Sequence, residues 1–462
     1  MMENLKSPVQ KDKILNVITF GCQMNKYDSE TITGLLQDYS LTDKPEEANL
    51  ILINTCAVRQ HAEDKVYSLL GRLSKIKKTN PALKIGICGC MAEQYGAHLL
   101  KRFPVLDLVV GPDNIYKLPD LLDELYKDKR IVLTGHNEAS LPSGEACLVA
   151  VSSLPIKREA CLVVDKIKAY LPIVLGCNNR CTYCVVPSTR GSIRSRPPQQ
   201  ILNEIENLAN SGYQEITLLG QNVNDYGTDF KISPPPIDFL KLLIMINEIN
   251  GLKRIRFITS HPKNFNHTLI DALPQLQKVC EYIHLPLQSG SNKILKLMNR
   301  GYTIEFYQQL VEYIRQKIPN VSITTDLIVG FPGEEEEDFN QTLKAVEEIK
   351  FDSAFTFKYS PRPNTPSATY PDQLTSEVKQ NRLGRLIANI SRITKEKNSR
   401  LIERIEEILV EGRNPRDTFF LMGRTRTDKI IFFKASDDSL IGKLVKVKII
   451  SCGTFSFKGE LL

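Results

Sequence analysis

Residues 170–184 read YLPIVLGCNNRCTYC, an apolar run of strand character followed at once by a loop carrying Cys177, Cys181 and Cys184. Three thiols spaced Cys-x3-Cys-x2-Cys suit a soft metal. Structural zinc draws on four ligands, usually as paired knuckles, and no fourth Cys or His lies close by. A 4Fe-4S cube held by three thiolates keeps one iron without a protein ligand, and such an iron is a place for a reaction. The apolar run is the first of six, with EITLLGQN, KRIRFITS, EYIHLPLQ, VSITTDLIVG and SAFTFKYS following. Stretches of helical spacing, such as PQQILNEIENLANSG and EFYQQLVEYIRQKI, lie between them. Strands alternating with helices make a parallel sheet, and six βα units fall short of the eight that close a full barrel. The expected core is therefore a partial (β/α)6 barrel with the cysteine loop at its mouth. A long polar helix is expected from Thr375 to Glu407.

Upstream, an apolar run, a cysteine and an amphipathic stretch recur three times, and Cys22, Cys56 and Cys90 stand 34 residues apart. That spacing is about the length of a strand-helix unit that crosses back to a parallel strand. In an open parallel α/β domain the carboxyl ends of the strands share an edge, which places the three cysteines in one crevice. Any one of them alone reads as a small core residue; three at equivalent positions read as a site. Cys88, inside its apolar run, reads as core. From Arg130 to Lys168 the pattern fades, and EACLV occurs twice, with Cys147 and Cys161 read as buried residues of short strands.

The last fifty-two residues, Glu411 to Leu462, hold ten Lys and Arg against six Asp and Glu in short β-type runs, the pattern of a small antiparallel β-barrel. Phe419, Phe420, Phe432, Phe433, Phe455 and Phe457 either stack on nucleic-acid bases or fill that barrel; both readings stand. With 462 residues the chain exceeds one hydrophobic core. No apolar run is long enough to cross a bilayer, and the polar first thirteen residues lack a secretory pattern, so a cytoplasmic location is expected. Eleven cysteines in that reducing compartment point to metal or catalysis before disulfides. The net charge of +7 is compatible with RNA without requiring it.

The cysteine loop resembles that of the radical S-adenosylmethionine (radical SAM) superfamily. TFGCQMNKYDSE, NTCAVRQHAEDKV, CGCMAE, GCNNRCTYCVVPSTRG, GQNVNDYG, TSHP, HLPLQSGS, MNRGYT, DLIVGFPGE and YSPRPNTP extend the resemblance over nearly the whole chain, to the methylthiotransferases. GCQMN and NTCAVR are similar to the MiaB type of tRNA methylthiotransferase, and the C-terminal segment is similar to a TRAM domain. The resemblance implies a methylthiotransferase N-terminal domain over 13–129, a radical SAM core over 163–394 and an RNA-binding TRAM domain over 397–461. It implies two 4Fe-4S clusters, a catalytic one on Cys177, Cys181 and Cys184 whose open iron chelates S-adenosylmethionine, and an auxiliary one on Cys22, Cys56 and Cys90.

By position, Tyr183, Gln221, Asn222, Gln288 and Asp326 are the implied cofactor-binding residues, with Ser260, His261, Ser289 and Gly330 as weaker candidates at later loop ends. Two molecules of S-adenosylmethionine would be used per product, one to methylate sulfur and one to give a 5′-deoxyadenosyl radical. The implied reaction is methylthiolation of C2 of N6-isopentenyladenosine at position 37, on the anticodon stem-loop of tRNA. Implied partners are a reductant such as flavodoxin or ferredoxin and iron-sulfur or sulfur carrier proteins, with no membrane. Methylthiolation of another tRNA adenosine or of a ribosomal protein side chain is the alternative, and a zinc-stabilised RNA-binding protein is the non-enzyme alternative. The chain departs from the family at Asn364, where a glycine is common.

Overall fold

Leu50–Thr55, LILINT, is apolar without alternation, the mark of a strand covered on both faces. In the computed structural model, which describes residues 13–57, 60–136, 167–230 and 237–462, it lies inside a six-stranded sheet. Both EACLV segments, with Cys147 and Cys161, fall outside the described residues, as do Val58 and Arg59 of NTCAVR. The chain divides into two units, Met1–Val163 and Val164–Leu462.

In the first unit, β1 (Ile14–Phe20), β2 (Ser40–Leu41), β3 (Leu50–Thr55), β4 (Lys84–Cys88), β5 (Leu108–Val110) and β6 (Ile131–Leu133) form one parallel sheet. Its order is β2-β1-β3-β4-β5-β6. Successive side chains go to opposite faces. Ile51, Ile53, Ile85 and Ile87 join Val66, Leu69, Leu70 and Leu73 of the helix Gln60–Thr79 in one cluster. Leu50, Leu52 and Cys88 join Ile32, Leu36, Leu118 and Leu122 in the other. Cys88 is thus core, as its place in the apolar run predicts. The sheet continues to β6, past the point where the sequence pattern fades.

The second unit opens with β7 (Lys168–Pro172), then β8 (Val174–Leu175) and β9 (Arg194–Ser195), which pair antiparallel beside the cysteine loop. β10 (Glu215–Leu219) and β11 (Arg254–Ile258) complete a parallel sheet β11-β10-β7. β12 (Tyr282–His284), β13 (Ser322–Val329) and β14 (Ser353–Lys358) form a second parallel sheet, and an Ile255–Val279 bridge lies between the two. These are the six expected runs, in a partial barrel. Ile216, Leu218, Ile255, Phe257, Ile283, Ile323 and Leu327 face the large core beneath the helices. The alternation then turns Thr217, Arg256, His284, Thr324 and Asp326 to the inside of the barrel.

The helix Ser376–Ser399 ends eight residues before the expected Glu407. Glutamates 403, 406 and 407 suggest helix locally, but residues 405–409 pair with 444–448 across the sheet, and tertiary pairing overrides propensity. β15 (Ile405–Asn414), β16 (Asp417–Thr425), β17 (Ile430–Lys434), β18 (Leu444–Cys452) and β19 (Ser456–Leu461) close into a barrel ordered β15-β16-β17-β19-β18. Its phenylalanines divide between the interior and the surface. Phe433 and Phe457 fill the interior, whereas Phe419 and Phe455 are each 75% exposed. Arg254 and Arg256 donate to the carbonyl oxygens of Arg424 (2.7 Å), Arg426 (2.8 Å) and Thr425 (2.7 Å). Arg426 pairs with Glu281 at 2.8 Å. The small barrel therefore docks at the amino ends of β10–β12, opposite the end that carries the cysteine loop.

Candidate active site

In the first unit each of the three spaced cysteines follows the carboxyl end of a strand. Cys22 caps the helix Gln23–Leu35 after β1, Cys56 directly follows β3 with its N–H bonded to Phe20 O (3.0 Å), and Cys90 begins the helix Cys90–Tyr95 after β4. The order of the strands reverses between β1 and β3, and the crevice at such a switch point is where open α/β sheets bind ligands. The turns are in close contact. A Cβ on Gly21 would stand 2.6 Å from Cys56 Cβ, and one on Gly89 would stand 2.8 Å from Thr55 O. Asn25 and Asn54, both fully buried, bond Nδ2 to Oδ1 at 3.1 Å, and Asn54 Nδ2 donates on to Asn25 O (2.8 Å) and Ser29 Oγ (3.0 Å). Cys22 N–H donates to Asn25 Oδ1 at 3.3 Å. This amide pair locks the Cys22 turn to the Cys56 turn. Both asparagines lie in quoted motifs, GCQMN and NTCAVR, yet their role was not legible there.

In the second unit the loop after β8 holds all three remaining candidate thiols. Gly176 starts it at φ +69°, where a Cβ would sit 2.1 Å from Ser192 O, so the chain can pass Ser192 only without a side chain. Gly176→Ala is expected to cost about 1–3 kcal/mol, read by urea unfolding; wild-type stability would contradict this close approach. Thr182 ties the loop down, donating through N–H to Met298 O (3.1 Å) and through Oγ1 to Leu297 O (2.8 Å). Each sulfur meets a donor: Cys177 Sγ accepts from Asn179 N–H (3.4 Å), Cys181 Sγ from Arg300 Nη1 (3.3 Å) and Cys184 Sγ from Val186 N–H (3.5 Å). Burial pushes the Cys184 thiol up to about 12, and Cys181 beside it adds to the shift. Thiols at a partly shielded loop, facing N–H donors, are suited to a metal that replaces their protons.

Among the described residues no three His, Cys, Asp or Glu side chains converge on one ion-sized point. That geometry does not disfavour a cube, whose thiolates each bind a different iron.

The other candidates sit at neighbouring strand ends. Asn222, after β10, accepts at Oδ1 from His261 N–H (3.0 Å), and Ser260 N–H donates to His284 O (3.3 Å). Gln288 stands at φ +75° and donates its N–H to Asp326 O (2.8 Å), while the Asp326 carboxylate lies 3.4 Å from His284 Nε2. Buried polar atoms here without a hydrogen-bond partner include Gln221 Oε1, Ser260 Oγ and Gln288 Oε1. Buried atoms of this kind are rare and fit a polar ligand. His261 is held neutral, near 3, by burial and then by the Arg300 and Lys263 cations; its Nδ1 accepts from Lys263 N–H, so the proton is on Nε2. Tyr183 packs on Ile294, Met298, Phe331 and Tyr359. Ser289 and Gly330 are engaged in local hydrogen bonds. The Ser289 hydroxyl accepts from Ser291 N–H (3.2 Å), and Gly330 gives its N–H to Glu334 (2.7 Å).

Residues 171–346 match the radical SAM superfamily, 14–111 the uncharacterized protein family UPF0004, and 400–462 the TRAM domain. A tRNA-2-methylthio-N(6)-dimethylallyladenosine synthase of Alkaliphilus oremlandii is 47% identical over 98% of this chain and 93% of its own length. Proteins of the same name from Carboxydothermus hydrogenoformans (47%, 98% of this chain, 100% of that one) and Desulforamulus reducens (44%, 100% and 98%) agree. The chain belongs to the tRNA-2-methylthio-N(6)-dimethylallyladenosine synthase family. As a radical SAM methylthiotransferase it uses a 4Fe-4S cluster and S-adenosylmethionine. The radical SAM methyltransferase TsrM of Kitasatospora setae shares the fold at 14% identity, with a TM-score of 0.54 over 77% of this chain and 75% of that one.

Proposed function

We propose that the chain transfers a methylthio group to C2 of N6-isopentenyladenosine at position 37 of tRNA. The observation that carries the reading is the placing of two trios of thiols at strand carboxyl ends, in a chain 44–47% identical over its length to synthases named for this product. Cys177, Cys181 and Cys184 would hold one 4Fe-4S cluster, and Cys22, Cys56 and Cys90 a second. When bound, these clusters and two molecules of S-adenosylmethionine per product supply a carbon radical and the transferred sulfur, chemistry that a ring carbon too weakly acidic for proton transfer requires.

The chain's own residues bind and orient. Gln221, Ser260 and Gln288 offer unpartnered polar atoms to the methionine and ribose groups of the nucleotide. Asn222 fixes the His261 backbone, and the neutral His261 ring brings no positive charge toward a sulfonium cation. Asp326 supplies a carboxylate at the same edge, and Tyr183 packs behind the cluster loop. The small barrel binds RNA phosphate through its Lys and Arg excess, which positions without specifying a base, and its exposed Phe419 and Phe455 suit stacking. The roles divide along the chain as 13–129 for sulfur supply, 163–394 for radical formation and 397–461 for RNA.

A low-potential reductant such as flavodoxin or ferredoxin, sulfur carrier proteins and a cytoplasmic location complete the reading. No helix among the described residues is long and apolar enough to cross a membrane. Nucleoside mass spectrometry of tRNA from a deletion strain tests it. Isopentenyladenosine should accumulate without its methylthio group; unchanged methylthio content would refute the tRNA reading and favour a protein side chain as substrate.

A further inference from the structure

Among its described residues the second unit buries a guanidinium, that of Arg300, with no carboxylate in ion-pair reach. Arg300, in the stretch MNRGYT, is 5% exposed. Arg196, Arg256 and Arg382 are as deeply buried, and each meets a carboxylate, at 2.7, 3.0 and 2.6 Å. Arg300 instead donates from Nη2 to Pro286 O (3.0 Å), from Nε to Tyr302 Oη (3.0 Å), and from Nη1 to Cys181 Sγ (3.3 Å) and Tyr183 Oη (3.4 Å). Its plane lies over the Tyr302 ring, 5.3 Å from the centroid. The Tyr302 hydroxyl is in turn fixed on Leu287 O at 3.0 Å, so the fork is rigid and aimed at one sulfur. A cation this deeply buried is costly unless something opposite balances it. Its hydrogen-bond partners are two phenols, which stay protonated near neutral pH, one backbone carbonyl and the sulfur of Cys181.

We propose that Arg300 is a positioning residue of the second-unit cluster: it fixes Cys181 by a charge-assisted N–H···S bond and sets a permanent positive charge beside the cluster, favouring the reduced form. The inference rests on the assignment of that cluster to Cys177, Cys181 and Cys184. An added electron is stabilised by a fixed cation, and hydrogen bonds to the sulfurs of a cluster act in the same direction. Lysine would keep the charge and lose the fork.

The test is made in full-length protein carrying Cys22→Ala, Cys56→Ala and Cys90→Ala, so that only the second-unit cluster is present, reconstituted anaerobically and titrated reductively without S-adenosylmethionine under EPR. Arg300→Gln is expected to keep its iron and to move the midpoint at least about 59 mV negative, a tenfold change in a one-electron equilibrium. Arg300→Lys should recover most of that shift. An Arg300→Gln midpoint equal to the parent would overturn the inference and leave the cluster assignment intact. A parent that holds no iron would overturn both. If Arg300→Gln loses iron and Arg300→Lys keeps it, the charge is needed even to hold the cluster, which supports the inference. Loss from both variants would make the shape of the guanidinium the requirement and refute the electrostatic role.

Discussion

Cys184→Ala is expected to reduce 5′-deoxyadenosine formation from S-adenosylmethionine by about 100-fold or more, to the level of protein without cluster. Partners that merely orient a metal ligand are worth 10–100-fold, and removing a ligand outright costs more. Among the described residues of the second unit no other thiol stands in reserve. Cys280 is buried beside Arg256 near the amino ends of the strands, and Cys452 belongs to the small barrel. The fold should survive the change, because the loop is anchored by groups other than the cysteines. Gly191 O takes the Cys177 N–H at 3.2 Å, Asn178 Oδ1 takes the Ile193 N–H at 3.0 Å, and Thr182 is held by Leu297 and Met298. Two measurements check this: product by chromatography after anaerobic reconstitution, and the thermal unfolding midpoint. Undiminished 5′-deoxyadenosine in a variant that unfolds like the wild type would remove Cys184 from the cluster.

What the sequence made legible was periodicity and spacing. Apolar runs alternating with helical stretches specified six parallel strands, and 34-residue intervals placed Cys22, Cys56 and Cys90 at equivalent strand ends. Both inferences need only local geometry. Adjacency between loops is a different matter, because it depends on strand order. The sequence does not show that β1 and β3 are neighbours flanking the switch point, so it could not show that Asn25 and Asn54 meet. Arg300 was quoted within MNRGYT without a role for the same reason: its contact with Cys181 spans 119 positions. The start of the small barrel failed in the opposite way. Around Glu403–Glu407 the local signal was strong and favoured helix, but residues 444–448 offered a pairing partner that no local window contains. The phenylalanines of that barrel could not be sorted because closure, rather than composition, decides that Phe433 is enclosed while Phe419 is exposed.

The second large effect separates radical formation from sulfur transfer. Cys56→Ala should leave 5′-deoxyadenosine formation within about twofold of wild type while methylthiolated RNA falls below detection. The substitution is small. Cys56 is 2% exposed, alanine is apolar and occupies less volume, and the Asn25–Asn54–Ser29 network that holds the neighbouring turns does not use the sulfur. Stability should therefore change by about 1 kcal/mol, the ordinary size for a point substitution. Iron and sulfide should drop to about half, since one of two cubes loses a thiolate ligand. Meanwhile Cys177, Cys181 and Cys184 keep their donors Asn179, Arg300 and Val186 in the second unit. A synthetic anticodon stem-loop carrying isopentenyladenosine, assayed by mass spectrometry beside a count of cleaved nucleotide, reads both quantities in one reaction. Unchanged iron with normal methylthio product would show that the strand-end trio of the first unit is core rather than ligand. Loss of both activities together would mean that the first-unit thiols serve the radical step itself, and the division of labour between the two units would be wrong.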